Sequence, residues 1–316
     1  MKSSGVAKPL LVVLLGPTAV GKTGVAVQLA QRFGCDIVSA DSRQVFRQLK
    51  IGVARPSGAE LRAAKHHLVA HRDVWERYSC GQYAEEAQGV LQSLFATQPM
   101  AILTGGSMLY ISAVCDGLED FPTPDMELRA ALTRRLREEG VEALAAELVR
   151  VDPGCNGVVD VRNGVRVLRA LEVSLQTGRP YSEWLSHARV SLPFDVLKVG
   201  LILPMEVLTA RIGQRVDLMV AEGLEEEAQR VQQYKNTPAL RTVGYRELFD
   251  YFEGRCTREA AIERIKVNTR RYAKRQMTWW KRDNGIAWFF PYDVEAINEY
   301  VDRYIMSRSN EYSGAR

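Results

Sequence analysis

The sequence predicts an α/β fold, namely a P-loop-containing parallel sheet with flanking helices and an inserted all-helical lobe. Apolar runs of strand length alternate with segments of helical periodicity, which is typical of a parallel sheet. A glycine-rich phosphate-binding motif follows the first apolar run. Residues 116–189 contain no convincing strand and interrupt the alternation. We therefore expect a core of residues 1–115 and 190–316, with residues 116–189 as the inserted lobe.

The predicted core begins with the apolar run at residues 10–15, which is long enough for one buried strand. A helix with apolar residues at helical spacing follows the glycine-rich motif and ends near Phe33. Further strands are predicted at residues 36–40, 100–103, 196–203 and 286–290, and further helices at residues 82–96 and 205–220. In such a sheet, ligands bind at the carboxyl ends of the strands.

The predicted lobe is helical. Asp125 is a favoured helix cap, and we expect a helix from it to Glu138, with the apolar spacing continuing over residues 141–149. Proline and glycine at residues 122–124 and 178–180 mark its ends.

Composition limits the class of protein. The 316 residues carry a net charge of +4, with 46% hydrophobic and 25% charged residues, which is ordinary for a globular protein. No apolar run has the length of a membrane span, so no membrane association is expected. Five scattered cysteines without a C-x-x-C pair indicate free thiols in a reducing compartment. His66, His67 and His71 would place two imidazoles on one helical face, but no second ligand pair accompanies them, which disfavours a metal site there.

Residues 16–23 match the P-loop pattern G-x-x-x-x-G-K-[ST]. The residues of this loop are Gly16, Pro17, Thr18, Ala19, Val20, Gly21, Lys22 and Thr23. Backbone N–H groups of such a loop bind phosphate oxygens, and the following helix N-terminus adds partial positive charge. Lys22 would neutralise the terminal phosphates, and the Thr23 hydroxyl would hold a magnesium ion. The motif predicts binding of a phosphorylated small molecule without identifying it.

Asp41 is the second candidate for a catalytic residue. It follows the predicted strand at residues 36–40, so we expect it at the carboxyl edge of the sheet beside the P-loop. A carboxylate there can accept a proton from a nucleophile that attacks a group attached to the bound phosphates. Asp is also a favoured helix cap, so a structural role is the alternative.

A nucleotide hydrolase needs a further carboxylate at the end of a neighbouring strand. The strand at residues 100–103 is followed by Thr104 and two glycines, and Asp195 precedes its own strand. ATP hydrolysis is therefore disfavoured, which leaves phosphate as the donor in a kinase reaction or as a leaving group. Arg211 and Arg215, one helical turn apart, either bind the oxygens of a departing phosphate or face solvent.

A basic segment lies near the end of the chain. Residues 255–282 contain ten basic and two acidic residues, a net charge of +8, so the rest of the chain carries −4. We expect one long helix here, with like-charge pairs at i,i+4 that destabilise an isolated helix. A solvated face is the alternative, but the uncompensated charge favours contact with a nucleic-acid backbone.

Six further segments carry a family resemblance. They are residues 41–46 (DSRQVF), 51–56 (IGVARP), 105–110 (GGSMLY), 166–173 (RVLRALEV), 243–246 (VGYR) and 270–279 (RRYAKRQMTW). With the P-loop, they resemble the tRNA dimethylallyltransferases, also called tRNA isopentenyltransferases, in order and over nearly the whole chain. The motifs A-K-R-Q-x-T-W and D-S-x-Q are specific in combination. No C-terminal zinc finger follows, so the resemblance is to the bacterial type.

The resemblance implies that dimethylallyl diphosphate donates its dimethylallyl group to N6 of the adenosine immediately 3′ of a tRNA anticodon. The P-loop would then hold diphosphate, which explains the missing second carboxylate. Lys22, Thr18, Arg211 and a Mg²⁺ cofactor on Thr23 would stabilise the leaving diphosphate, and Asp41 would accept the N6 proton. The resemblance also implies a cytoplasmic monomer.

The target base would be extruded into a channel from the side opposite the isoprenoid donor. The residues implied to contact the adenine or the anticodon loop are Asp41, Ser42, Arg43, Gln44, Ser107, Arg129, Arg166, Arg169, Arg241, Thr242, Val243, Gly244, Tyr245, Arg246, Lys274 and Arg275. Arg162, Arg166 and Arg169 have the spacing of one helical face, for which a salt-bridged surface is the alternative.

Two other functions are alternatives to prenyl transfer. A small-molecule or nucleoside kinase with a P-loop would bind ATP and would have no use for the basic helix. A non-catalytic tRNA-binding module would need neither Lys22 nor Asp41. Trp279, Trp280 and Trp288 could stack on bases, but we expect them in the core.

Overall fold

The computed structural model describes residues 8–117, 121–185 and 191–313. The strands are β1 (Leu10–Leu15), β2 (Ile37–Ser39), β3 (His66–His67), β4 (Met100–Thr104), β5 (Asp195–Leu201) and β6 (Ala287–Phe289). Within the described residues they form one sheet in the order β3-β2-β4-β1-β5-β6, and all neighbouring pairs are parallel. The predicted fold class is confirmed.

Helices account for most of the remaining chain. They are α1 (Lys22–Phe33), α2 (Gly58–Ala63), α3 (Cys80–Phe95), α4 (Met108–Cys115), α5 (Met126–Glu138), α6 (Gly140–Val151), α7 (Gly164–Thr177), α8 (Tyr181–Trp184), α9 (Met205–Ala221), α10 (Leu224–Val231), α11 (Tyr245–Phe252), α12 (Arg258–Trp280) and α13 (Val294–Ser313). Short 3₁₀ turns lie at Pro153–Cys155 and Gln232–Tyr234. The long basic helix that the sequence predicts is confirmed as α12.

Burial of β1 on both faces explains its uninterrupted apolar sequence. Leu10, Val12 and Leu14 pack in one cluster with side chains of α1, α9 and α13. Leu11, Val13 and Leu15 pack in a second cluster with side chains of α3 and α4. A parallel strand with helices on both faces needs apolar residues at every position. β1 is therefore the centre of the core, and the P-loop begins where it ends.

The edge strand β3 is not among the predicted strands. The spacing of His66, His67 and His71 allows two imidazoles on one helical face, but His66 and His67 pair with Ile37 and Val38 of β2. A strand of two residues is too short to show an alternating pattern, so β3 cannot be predicted from periodicity. The other strands agree with the predicted ones to within two residues at each end.

The chain divides into two compact units, Met1–Asp116 with Ser191–Arg316 (the sheet unit) and Gly117–Val190 (the helical unit). In the helical unit, α5, α6 and α7 pack around a core that includes Leu132, Leu144 and Leu171. Asp125 caps α5 as predicted, since its carboxylate accepts hydrogen bonds from two first-turn amides. Arg189, the predicted end of the lobe, lies outside the described residues.

Two further expectations concern cysteines and membranes. All five cysteines are free, and Cys35, Cys115 and Cys155 are buried, as expected for thiols with packing roles. Among the described helices, none combines the length and the apolar character that crossing a bilayer requires.

A buried carboxylate fixes the segment that follows Asp41. Glu227 is 2% exposed and accepts hydrogen bonds from the amides of Lys50, Ile51 and Gly52 at 2.8–2.9 Å. The hydroxyl of Tyr245 donates to the same carboxylate at 2.7 Å. Four donors therefore share one acceptor group, and α10 and α11 are tied to the loop at residues 50–52.

We predict that Glu227→Ala lowers the free energy of unfolding by about 3 kcal/mol or more, because the buried Tyr245 hydroxyl and three partly buried amides lose their acceptor. An unpartnered buried donor costs about 1–3 kcal/mol. Tyr245→Phe removes one donor and keeps the acceptor, so it should cost only about 1 kcal/mol. Urea denaturation of the two variants and the parent chain measures both values. Equal losses in the two variants would show that the carboxylate does not act as a shared acceptor.

Candidate active site

The loops after β1, β2 and β4 surround a cavity of about 540 Å³ at the carboxyl ends of these strands. All of its lining residues belong to the sheet unit. The predicted site residues that line it are Thr18, Ala19, Gly21, Lys22, Thr23, Asp41, Ser42, Arg43, Gln44, Arg211, Thr242, Val243 and Gly244. Residues far apart in sequence are thus brought together at one edge of the sheet.

The P-loop approaches β5 closely. A Cβ atom at Gly16 would lie 2.7 Å from the carbonyl oxygen of Leu201, so only glycine fits there. The loop turns into α1 at Lys22, and the first-turn amides of a helix have no acceptor within the helix. Such amides are available to phosphate oxygens. Gly16, Pro17 and Val20 do not line the cavity and form the framework of the loop.

Lys22 is held inside the loop. Its ammonium group donates to the carbonyl oxygens of Gly16 and Pro17 at 2.8 and 2.9 Å. Burial lowers the pKa of Lys22 to about 7, while nearby Asp41 raises it and Arg215 lowers it further. The carbonyl groups of Gly16 and Pro17 are uncharged, so they do not neutralise the ammonium group. A phosphate oxygen beside it would supply the missing negative charge. The lysine therefore fits an anionic ligand.

Asp41 has two carboxylate oxygens in different surroundings. One oxygen, Oδ1, accepts hydrogen bonds from the amides of Arg43 and Gln44 at 2.9 and 3.2 Å. The other, Oδ2, has no hydrogen-bond partner among the described residues, and Asp41 lines the cavity. The residues after Asp41 form a turn rather than a helix. One oxygen thus stabilises the turn, and the second is free to accept a proton.

Cations exceed anions around this cavity. Lys22, Arg43, Arg211 and Arg215 line it, against Asp41 and one further carboxylate. Arg211 donates to the carbonyl of the P-loop residue at position 20 at 3.2 Å, and Arg215 lies 3.4 Å from the Thr18 hydroxyl. Burial lowers the pKa of Arg43 and of Arg215, and Asp41 opposes that effect for both. The excess positive charge is that of a site for a polyvalent anion.

Gln276 and Tyr272 belong to the site, although sequence analysis gave them no individual role. Gln276 is fully buried; its side-chain oxygen accepts from the Thr18 amide at 2.8 Å. Its side-chain nitrogen donates to the Gly106 carbonyl at 2.8 Å, and the Tyr272 hydroxyl donates to the same oxygen at 2.9 Å. The only signal in the sequence was their position within the motif of residues 270–279.

Several predicted contact residues lie outside the cavity lining. Tyr245 is fully buried, with its hydroxyl on Glu227, so its assignment to a tRNA-contacting surface is corrected to a core role. Ser107 occupies the cap position of α4, and its amide donates to the carbonyl of Ala40, the residue that follows β2. Arg241 and Arg246 are exposed.

The helical unit holds two predicted arginines in ion pairs. Arg129 and Arg169 both bind the fully buried carboxylate of Glu172, with N–O distances of 2.7–2.8 Å. The salt-bridged alternative, which was weighed for Arg162, Arg166 and Arg169, therefore holds for Arg169. Arg162 precedes α7 and does not share its helical face. Arg166 is exposed and has no ion-pair partner among the described residues.

Acidic residues compensate only the first half of the basic segment. Arg258 binds Glu225, and Lys266 lies 2.8 Å from Asp217. Arg255 and Arg264 also have acidic partners. Six cations form no ion pair within the described chain, and we call them the C-terminal basic segment: Arg270, Arg271, Lys274, Arg275, Lys281 and Arg282. The sequence prediction of uncompensated charge holds for this half alone.

The three predicted tryptophans lie in the core or at its edge. Trp280 is buried, and Trp279 and Trp288 pack partly buried against the same cluster. This agrees with the expectation that they pack rather than stack on bases.

The histidines take part in separate contacts. His66 bonds to a backbone carbonyl at 2.8 Å, His67 to Asp36 at 2.8 Å and His71 to Glu86 at 3.0 Å. Over the described ranges, no three His, Cys, Asp or Glu side chains are grouped to hold a metal ion. The cavity is lined by several hydroxyl groups, among them that of Thr23, but by only two carboxylates, those of Asp41 and Glu60. So few charged oxygen ligands fit Mg²⁺ that is bound mainly through phosphate oxygens and water.

Known proteins resemble this chain over most of its length. A family model described as IPP transferase matches residues 44–283. The chain is 44% identical to tRNA dimethylallyltransferase 1 of Bacteroides thetaiotaomicron, which covers 93% of this chain and 95% of that relative. It is also 44% identical to tRNA dimethylallyltransferase 2 of Parabacteroides distasonis, with 94% and 99% covered.

Solved structures agree with these relatives. The crystal structure of a tRNA isopentenylpyrophosphate transferase of Bacillus halodurans matches with a TM-score of 0.72 and 32% identity, over 96% of this chain and 99% of that one. A eukaryotic dimethylallyltransferase acting on tRNA matches in fold, with a TM-score of 0.80 and 24% identity over 98% of this chain and 80% of that one.

We predict that the affinity for an organic diphosphate falls as pH rises above about 7. The pKa of Lys22 is about 7 in the free protein, and a bound anion raises it, so binding above pH 7 takes up a proton. Affinity should fall by up to about tenfold per pH unit between the free and bound pKa values. Calorimetric titration from pH 6 to 9 measures the slope.

Lys22→Met is the matched control for this titration. The difference in slope between the parent chain and the variant isolates the lysine from ionisation of the ligand itself. Identical slopes in the two proteins would mean that Lys22 does not change protonation on binding.

Proposed function

We propose that this chain, which belongs to the IPP transferase family, transfers the dimethylallyl group of dimethylallyl diphosphate to N6 of an adenosine in tRNA. The coarse activity, prenyl transfer to tRNA, is that of its relatives. The adenosine immediately 3′ of the anticodon is the proposed acceptor. The observation that carries the proposal is the juxtaposition in one cavity of the cationic P-loop and an unpartnered oxygen of Asp41.

The cationic side of the cavity would bind the diphosphate. The first-turn amides of α1 would bind its oxygens, and Lys22 and Arg211 would balance its charge. Thr18, whose hydroxyl faces Arg215, would contribute a further polar contact. Mg²⁺ with the Thr23 hydroxyl would supply additional neutralisation of the diphosphate. Each of these interactions strengthens as negative charge develops on the leaving group.

The reaction exchanges one bond at an allylic carbon. The N6 lone pair forms a bond to C1 of the dimethylallyl group, and the C1–O bond breaks with its electron pair passing to diphosphate. The allylic system delocalises positive charge on C1 during this exchange. The extra proton on N6 passes to Oδ2 of Asp41, the oxygen that the turn leaves unpartnered. A positioned base of this kind contributes about 10²–10⁴-fold in rate.

The cations of the C-terminal basic segment support the proposed tRNA-binding surface. The C-terminal basic segment lies on and just after α12, the helix that also carries Tyr272 and Gln276 at the cavity. Phosphates of an anticodon stem–loop would replace the acidic partners that this half of the helix lacks within the described residues. Arg166 is an exposed cation of the helical unit without an ion-pair partner in the described ranges, and we also assign it to tRNA. The monomeric state and the cytoplasmic location remain predictions.

Incubation of the chain with unmodified tRNA, dimethylallyl diphosphate and Mg²⁺, followed by mass analysis of nucleosides, tests the activity. We expect a five-carbon addition to one adenosine, which sequencing of nuclease fragments places next to the anticodon. A parallel incubation with ATP in place of the isoprenoid donor tests the kinase alternative. Phosphoryl transfer in that incubation, without prenylation in the first, would refute the proposal.

We predict that Asp41→Asn lowers turnover about 10²–10⁴-fold while tRNA affinity stays within about threefold. Asparagine keeps the side-chain oxygen that accepts the two turn amides, but it cannot take the N6 proton. Single-turnover kinetics and filter binding measure the two quantities. Near-normal turnover in this variant would show that the proton leaves by another route.

We predict that Lys274→Gln with Arg275→Gln weakens tRNA binding and reduces the slope of log K against log salt by about 1–2 units. The control pair is Arg255→Gln with Arg258→Gln, which removes the same charge from residues that already have acidic partners. That pair should change the slope much less. Equal changes in both double variants would mean that RNA does not distinguish the two halves of the helix.

A further inference from the structure

Gln276 joins two strand-end loops through one buried amide. Its oxygen holds the Thr18 amide of the P-loop, and its nitrogen holds the Gly106 carbonyl after β4, each at 2.8 Å. A Cβ atom at Gly106 would lie 2.8 Å from that nitrogen and 3.8 Å from Oδ2 of Asp41. The amide therefore lies between the phosphate-binding loop and the proton-accepting carboxylate. We call these contacts the Gln276 clamp.

Tyr272 connects the clamp to the surface of the same helix. Its hydroxyl donates to the Gly106 carbonyl at 2.9 Å. Burial raises the pKa of this hydroxyl far above its ordinary value, so it remains a donor. The Arg275 guanidinium lies over the Tyr272 ring, 5.8 Å from its centroid. A continuous set of contacts thus runs from an unpaired surface cation to the Thr18 amide.

Like charges strain the helix at the same turns. Arg270 with Lys274, and Arg271 with Arg275, are spaced i,i+4 and lack acidic partners in the described chain. Their repulsion opposes regular helix geometry here, and RNA phosphates would remove it. The Gln276 clamp needs that geometry, because its two hydrogen bonds fix the side chain from one helical position. RNA bound on this surface would therefore stabilise the Gln276 clamp.

A diphosphate on the P-loop favours the same arrangement. The Gln276 side-chain oxygen accepts a hydrogen bond from the Thr18 amide. This bond orients the loop residues that precede Lys22. Phosphate bound between this loop and Lys22 gains from a loop already held in place. Two ligands that stabilise one conformation must bind cooperatively, and each tightens the other by the same factor.

We propose that Gln276 is a positioning residue that couples the docking of tRNA on α12 to the binding of diphosphate on the P-loop. The proposal rests on the proposed function of the cavity and adds a regulation of it. Gln276 touches no reacting atom. It sets the separation between the leaving-group loop and the Gly106 loop beside Asp41, so that the diphosphate cradle is complete when RNA is present.

The test measures the Kd of inorganic pyrophosphate with Mg²⁺ for the full chain, with and without a saturating unmodified anticodon stem–loop RNA. In the parent chain, RNA should tighten pyrophosphate binding by about fivefold or more. We call the Kd without RNA divided by the Kd with RNA the coupling ratio. Gln276→Met has a similar length and no amide, so in this variant the ratio should fall to within twofold of unity. Each ligand alone should still bind this variant within a few-fold of the parent value.

Two further variants separate coupling from folding. Gln276→Glu keeps an acceptor for the Thr18 amide and loses the donor to Gly106, so it should also lose the coupling. Arg258→Gln changes a paired residue on the same helix and should keep the parent ratio. A merely structural role would weaken both ligands separately and would lower the melting temperature without a selective loss of the ratio.

The outcomes are distinguishable. A ratio of unity in the parent chain, or the full ratio in Gln276→Met, overturns the coupling even when both ligands bind. A parent chain that binds neither pyrophosphate nor the RNA refutes the proposed function itself. Loss of the ratio in both Gln276 variants, with retention in Arg258→Gln, supports the assignment.

Discussion

The parallel pairing of β1 with β4 and β5 is the constraint on which the rest of the structure depends. Because β1 is buried on both faces, its register cannot slip without moving apolar side chains into the wrong cluster. That register fixes where the P-loop begins and places it beside the loop that follows β4. Asp41 reaches the same edge because β2 lies on the other side of β4.

The cavity is lined by charged side chains that the fold buries. Lys22, Arg43 and Arg215 share the surroundings of one carboxylate, and burial lowers the pKa of all three. An anionic ligand would balance the excess positive charge of the cavity. Its binding would therefore raise the pKa of Lys22 and change the protonation of the cavity. The cations of the C-terminal basic segment on and after α12 are largely exposed to solvent instead, where the proposed polyanion is the larger one. Under the proposed function, the two anions would thus bind separate surfaces of the sheet unit.

Buried carboxylates and amides supply the connections between distant segments. Glu227 binds three consecutive amides of the loop after Asp41, and Glu172 binds two arginines in the helical unit. The side-chain amide of Gln276 connects the P-loop with Gly106 through two hydrogen bonds. In each case one buried polar side chain binds two or more groups, so its loss would leave several hydrogen-bonding groups without partners.

The sequence alone determined the strands other than β3, the P-loop, the base candidate Asp41 and the basic helix, because each depends on local spacing or on a motif contiguous in the chain. Tertiary structure decided which charges are compensated, since Arg258 and Lys266 meet acids that are 33 and 49 residues away in sequence. It also decided that Tyr245 belongs to the core and that the side-chain amide of Gln276 spans two loops. Long-range pairing of side chains leaves no periodic trace in a single sequence, so only the folded chain shows it.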